Sequence, residues 1–179
     1  GWHLAGFELE RGQTRMAPPP SATAIPKAQT LARAVGERFS VPKIDRDTLT
    51  NWQNETDVRT LYVLDVRDPE EYAKGHPVGI RNAPGGQLVQ GIDQWCGTLG
   101  ARIVLVDDNG VRATMTASWL IQMGWDVAVL ESRLEGFEMT TEIPRQVPLG
   151  IGEFGEDEIT AGKLAAGLAT DDIVVFDLA

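Results

Sequence analysis

Short apolar runs, each stopped by a turn and followed by a helical pattern, constrain this chain more than any other feature. Thr60-Leu61-Tyr62-Val63-Leu64-Asp65-Val66 is apolar almost throughout, the pattern of a strand covered on both faces. It stops at Arg67-Asp68-Pro69, where Asp68 is placed to cap a helix that Pro69 opens and that runs through Glu70, Glu71, Tyr72 and Ala73 to Gly75. Ala101 to Val106 predicts a second buried strand, followed by a tight loop and a helix from about Val111 to Met123 that Gly124 closes. Val127 to Leu130 predicts a third strand. Strands alternating with helices imply an α/β fold, three-layer α/β/α, with a mostly parallel central sheet.

Upstream, Met16 to Pro26 carries Pro18-Pro19-Pro20 and small residues and predicts a surface linker. Ala28, Leu31, Ala32 and Val35 recur at helical spacing within Lys27 to Phe39. Ile44 to Trp52 predicts a second short helix, with Asp45 or Asp47 as its N-cap and Leu49 and Trp52 on one face.

The chain also repeats itself. Leu4-Ala5-Gly6-Phe7-Glu8-Leu9 returns as Leu134-Glu135-Gly136-Phe137-Glu138-Met139, and Val63-Leu64-Asp65-Val66 returns as Val175-Phe176-Asp177-Leu178. Ile159 and Leu164 match Ile44 and Leu49 in type and spacing. The order is the end of a repeat, a whole repeat, then the beginning of another, as in a window cut from a tandem array. The expected division is 1–15 as the tail of a preceding repeat, 16–41 as linker and helix, 42–148 as the complete domain, and 149–179 as the start of a following repeat. A start at Gly1-Trp2-His3 fits an excised piece. Ile173 to Phe176 reads as a buried strand without its own sheet, and Trp2 to Leu9 has the same difficulty. Either segment is expected to pair with the complete domain, to pair with another molecule, as in a homodimer through the truncated ends, or to leave an edge prone to association.

Charge and cysteine content exclude several classes. A net charge of −10 speaks against nucleic acid and against anionic membrane surfaces, which need a basic face. Cys96 is the single cysteine, so an internal disulfide and a multi-cysteine metal site are excluded, and a reducing, cytoplasmic location fits. No apolar run approaches the roughly 18 residues of a membrane span. No cofactor and no metal are expected.

Three stretches carry a resemblance. Leu64-Asp65-Val66-Arg67-Asp68-Pro69-Glu70-Glu71-Tyr72, with Gly75-His76, Gly79, Asn82, Ala83 and Pro84 after it, resembles the first signature of rhodanese-like sulfurtransferase domains. Val104-Leu105-Val106-Asp107-Asp108-Asn109-Gly110-Val111-Arg112-Ala113 resembles their active-site loop, and Val129-Leu130 through Leu134-Glu135-Gly136-Phe137 their closing strand and turn. In that family the loop begins with cysteine, with glycine three residues on and arginine two further. Gly110 and Arg112 keep those places, and Asp107 stands at the cysteine. Ile80 replaces a small residue after Gly79, and Ser132-Arg133 replaces a glycine pair in the closing turn.

The chemistry of such a loop depends on a converging set of backbone N–H groups at a helix N-terminus, which lowers a thiol's pKa and holds a persulfide. A carboxylate suits the same nest, but its oxygen is a poor nucleophile towards sulfur. No intact catalytic residue is therefore expected in the degenerate loop Asp107, Asp108, Asn109, Gly110, Val111 and Arg112. Cys96 lies at the other end of the strand, roughly 20 Å away for a strand of about six residues, and reads as a packed small hydrophobe. His76 reads as a structural hydrogen-bond bridge after a helix. Arg67, on the edge where parallel sheets place their sites, either binds a small anion or pairs with Glu70 or Glu71. Arg112 either steadies an anion or ties the loop. Trp52, Trp95, Trp119 and Trp125 read as core or rim packing, and Gly85-Gly86 as a turn rather than a phosphate loop.

The resemblance implies a catalytically inactive module of a multi-domain, thiosulfate sulfurtransferase-type protein, partnered by neighbouring repeats of its own chain. A second reading has the altered loop serving another, phosphatase-like transfer with Asp107 as base or acceptor. A third makes the chain an interaction domain unrelated to sulfur.

Overall fold

The computed structural model describes residues 1–12, 18, 20–144, 159–170 and 173–176. It divides into a unit Gly1–Glu142 and a unit Ile143–Ala179. In the first, α1 (Ala24–Arg38) leads to β1 (Lys43–Ile44), α2 (Arg46–Asn54), β2 (Leu61–Asp65), α3 (Pro69–Lys74), β3 (His76–Pro77), β4 (Arg81–Asn82) and α4 (Gly85–Gln90). Then come β5 (Arg102–Val106), α5 (Val111–Gln122), β6 (Asp126–Leu130) and β7 (Met139–Thr140). Five strands in the order β1-β6-β5-β2-β4 form one sheet, and every pair in it is parallel. β3 and β7 form a separate antiparallel pair.

The continuous apolar pattern of β5 follows from its central place. Ile103 and Leu105 pack with Leu64 and Val66, and with Ala113, Ala117 and Leu120 of α5, while Leu88 of α4 closes that layer. Val104 and Val106 point the other way, into a cluster with Ile44, Leu49, Ala128 and Leu130 that Trp52, Leu134 and Phe137 cover. Residues i and i+1 of a strand face opposite sides, so Ile103 to Val106, buried on both, are apolar without a break. The expected three-layer α/β/α fold is therefore the one formed.

Several expectations need correction. Ile44 belongs to a strand, not a helix: it pairs with Leu130 at the sheet edge, and the helix begins after Asp45, whose carboxylate accepts from Thr48 N–H at 2.8 Å. α1 begins at Ala24, inside the expected linker. Pro26 is tolerated there because first-turn N–H groups have no intrahelical partner. Within that linker, Met16, Ala17 and Pro19 lie outside the described residues, as do 145–158, which hold the expected Pro148 boundary.

Gly85-Gly86 is not a turn. The pair opens α4, and a Cβ at Gly85 would collide with Thr116 Oγ1 of α5, so glycine is what lets the two helices approach. Gly85→Ala should cost about 1–3 kcal/mol, the usual range for overpacking a filled site. Urea unfolding checks this: the midpoint should fall for Gly85→Ala and largely recover in Gly85→Ala/Thr116→Ala.

In the second unit, Thr160 caps α6 (Ala161–Ala169) by accepting from Lys163 N–H at 3.3 Å. The strand expected at Ile173–Phe176 is absent there, and Val174 and Phe176 are exposed. A lone parallel strand gains nothing without neighbours to satisfy its N–H and C=O groups. Asp177 and Leu178, the rest of that echo, lie outside the described residues. Among the described residues no helix is long and apolar enough to cross a membrane.

Candidate functional site

The ends of β2 and β5 lie side by side, with Asp65 in register with Val106. The chain after β5 must turn sharply into α5, and Gly110 makes this turn at φ 80°, where a side chain would be strained. The turn points its N–H groups inward at Asp107, a residue almost wholly buried. Asp107 Oδ1 accepts from Gly110 N–H at 2.6 Å, and Oδ2 accepts from Arg112 N–H at 2.9 Å and Ala113 N–H at 3.2 Å. Arg112 and Ala113 are in the first turn of α5, where N–H groups lack intrahelical partners and the dipole is positive. Burial pushes the Asp107 carboxyl above the ordinary carboxylate range; its three N–H donors oppose that shift and Asp108 adds to it.

The outer face of the loop is tied by ion pairs. Arg112 Nη1 bonds to Glu71 Oε2, and Nη2 donates to Glu71 Oε1 at 3.1 Å and to Asp108 Oδ1 at 3.0 Å. The Arg112 hydrogen bond holds the Glu71 carboxyl below its ordinary pKa, against the opposing pull of burial. Glu71 also accepts from Asp68 N–H at 3.1 Å, so α3 is capped and joined to the loop by one residue. Arg112 thus ties the loop to α3 through Glu71 and braces it through Asp108.

Arg67 is buried, and its partner is neither Glu70 nor Glu71. Its Nε and Nη2 donate to Asp65, with Nη2 2.6 Å from Oδ2, and Nη2 also donates to the Gly75 carbonyl at 2.8 Å. Asp65 is fully buried, and Asn82 Nδ2 donates to the carbonyls of both Asp65 and Arg67. Nε and Nη2 of the guanidinium are thus engaged inside the protein. Asp65 went unremarked in the sequence although a signal was there: a carboxylate inside an apolar strand needs a partner, and position i+2 shares its face.

His76 is buried, stacked on Tyr72 with ring centroids 3.5 Å apart, and its Nδ1 lies 2.9 Å from the Tyr72 carbonyl. It joins the end of α3 to β3 as a structural bridge. Cys96 sits in the core before β5, and burial pushes its thiol up to about 11. Trp95 donates to the Asn82 carbonyl at 3.1 Å, while Trp119 stands exposed. Among the described residues no group of His, Cys, Asp and Glu side chains is placed to hold a metal ion.

A parallel sheet with a nest at the C-terminal end of its central strand is the frame that the sequence motifs implied. The pattern of the family described as "Rhodanese-like domain" matches residues 45–140. The chain belongs to the rhodanese-like family. Among solved structures, this rhodanese-like chain is 47% identical to a thiosulfate sulfurtransferase from Pseudomonas aeruginosa, with a TM-score of 0.66. That match covers 94% of this chain and 31% of the relative, so the chain spans less than a third of the relative's length. A rhodanese-like domain from Anabaena is 21% identical over 67% of this chain and 90% of its own (TM-score 0.47). A Rhodopseudomonas palustris protein, described as of unknown function and a possible tyrosine phosphatase, is 18% identical over 65% and 89% (TM-score 0.44). No curated protein sequence matches this one.

Proposed function

We propose that this rhodanese-like domain does not carry sulfur and serves as a structural, regulatory or binding module of a longer thiosulfate sulfurtransferase-type protein. The observation that carries the reading is the Asp107 carboxylate, which occupies the loop nest and takes its Gly110, Arg112 and Ala113 N–H groups. A nest already filled by a fixed anion has no donors left for a persulfide, and no other thiol is near, since Cys96 is in the core. The same bonds speak against Asp107 as base or acceptor in another transfer, because both of its oxygens are engaged and buried.

Two details support a place beside neighbouring repeats. Gly6 and Gly136, matched in the repeated hexapeptide, share a positive φ of 82° and 72°. Ile44-Asp45 and Ile159-Thr160 both lead into a helix whose N-cap side chain accepts from the N–H three residues on. The single cysteine fits a cytoplasmic location for the parent protein.

The test is sulfur transfer from thiosulfate to cyanide by the 179-residue chain. Thiocyanate should form at the rate of the buffer alone, and turnover well above it would sink the reading.

A further inference from the structure

Beside the Asp107 loop lies a cavity of about 470 Å³ that no part of the sulfur-carrier argument uses. α1 walls it on one side, and the loop residues Asn109 and Gly110 wall it on another. Gln29 of α1 donates to the Asn109 carbonyl at 2.9 Å, fixing this wall to the loop. α1 lies outside the 45–140 match, so this cavity combines the family domain with an element added before it.

Two independent features point to a ligand. The first is charge. Arg33 of α1, Lys43 of β1 and Arg133 of the turn after β6 line the cavity against two carboxylates, Glu37 and Glu131. That is an excess of positive charge in a chain whose net charge is −10. Among the described residues, none of these three cations has an ion-pair partner. The second is strain. Among the described residues only two non-glycine residues have positive φ, and both line this cavity: Ser40 at 52°, which ends α1 in a left-handed cap, and Arg133 at 55°, which no helix end accounts for. Such conformations carry an energetic cost and cluster at ligand sites.

We propose that this cavity binds an oxyanion carried on a small organic body, a phosphomonoester being the simplest case, with Arg33, Lys43 and Arg133 around the oxyanion. Its size falls in the range of about 300–1,000 Å³ that holds small organic ligands, more than a bare inorganic oxyanion fills. Ala32 and Val41 supply apolar wall for the organic part. No bond is made or broken. The inference goes beyond the non-carrier reading and survives its failure, since occupancy here is measured without sulfur transfer.

Calorimetric titration of the full chain with glycerol 3-phosphate, inorganic phosphate and thiosulfate tests it. Glycerol 3-phosphate should bind saturably and more tightly than the two inorganic ions. Its affinity should weaken between low salt and about 0.15 M, as expected for partly exposed charges. Arg33→Gln and Lys43→Gln should each lower it several-fold, and Arg133→Gly about tenfold, the loss of one charge-assisted contact. Arg133→Gly places glycine at a positive φ, so its melting temperature should not fall, which separates lost binding from lost folding. Arg81→Gln, which removes an exposed charge outside the cavity, should leave the affinity unchanged. No saturable binding of glycerol 3-phosphate at millimolar concentration would overturn the proposal. So would binding that survives Arg133→Gly, an equal loss with Arg81→Gln, or a preference for the inorganic ions.

Discussion

Asp107→Cys is expected to convert this chain into a sulfur carrier. The substitution puts a sulfur atom where the Gly110, Arg112 and Ala113 N–H groups converge at the N-terminus of α5. Two effects compete for the thiol pKa. Burial raises it, as it does at Cys96, where the surroundings offer no comparable cluster of donors and the value reaches about 11. Converging N–H groups and a helix N-terminus lower it, and such sites bring thiols from about 8.5 down into the range of roughly 3.5–7.5. With three donors in place the second effect should win. Alkylation rate against pH should show one thiol titrating below 8.5, with Cys96 silent. The thiolate would attack the outer sulfur of thiosulfate, release sulfite and hold a persulfide, which cyanide then removes as thiocyanate. Thiocyanate formation should rise at least tenfold over the unaltered chain, a modest demand when each factor of ten needs about 1.4 kcal/mol. Mass spectrometry should show the intermediate as one added sulfur atom. An ordinary thiol pKa with no persulfide would mean that the carboxylate itself shapes the nest.

How much of this was legible in the sequence depended on whether the signal was local. The strands β2, β5 and β6 were legible because central parallel strands bury both faces and leave an uninterrupted apolar run. α3 and α5 were legible from the Asp68-Pro69 start and the Gly124 stop. Ile44 was not, because a two-residue edge strand is held by its partner Leu130 and leaves no periodicity. Nor was Gly85-Gly86, since the reason for glycine there is Thr116 on another helix. The Asp107 nest could be read from one substitution in a motif, but the cavity could not. Arg33, Lys43 and Arg133 are about a hundred positions apart at the extremes, and only the fold brings them to one place. Arg133 in the closing turn was visible as a departure from glycine, but not what it faces.

The largest loss of stability should come from Asp65→Ala. Asp65 is fully buried and accepts from Arg67 N–H at 3.0 Å as well as from its guanidinium. Removing the carboxylate leaves a buried guanidinium that still donates to the Gly75 carbonyl but has lost its counter-charge, and breaking such a pair typically costs about 3–5 kcal/mol. Against a total of about 5–15 kcal/mol for an ordinary domain, that is a large fraction, and the urea midpoint should drop accordingly. The intact pair itself adds far less, because desolvating two charges offsets most of their attraction. Replacing both partners by apolar residues, Asp65→Leu/Arg67→Met, should therefore cost less than Asp65→Ala alone. A loss under about 1 kcal/mol for Asp65→Ala would show that water reaches Arg67 and that the pair is not the anchor described here. If the anchor is real, its loss should also be felt at the loop. Val66 N–H donates to the Val106 carbonyl at 3.0 Å, so the end of β2 holds the residue immediately before Asp107. Asp65→Ala added to Asp107→Cys should then reduce thiocyanate formation while leaving the thiol in place, under conditions where both variants remain folded.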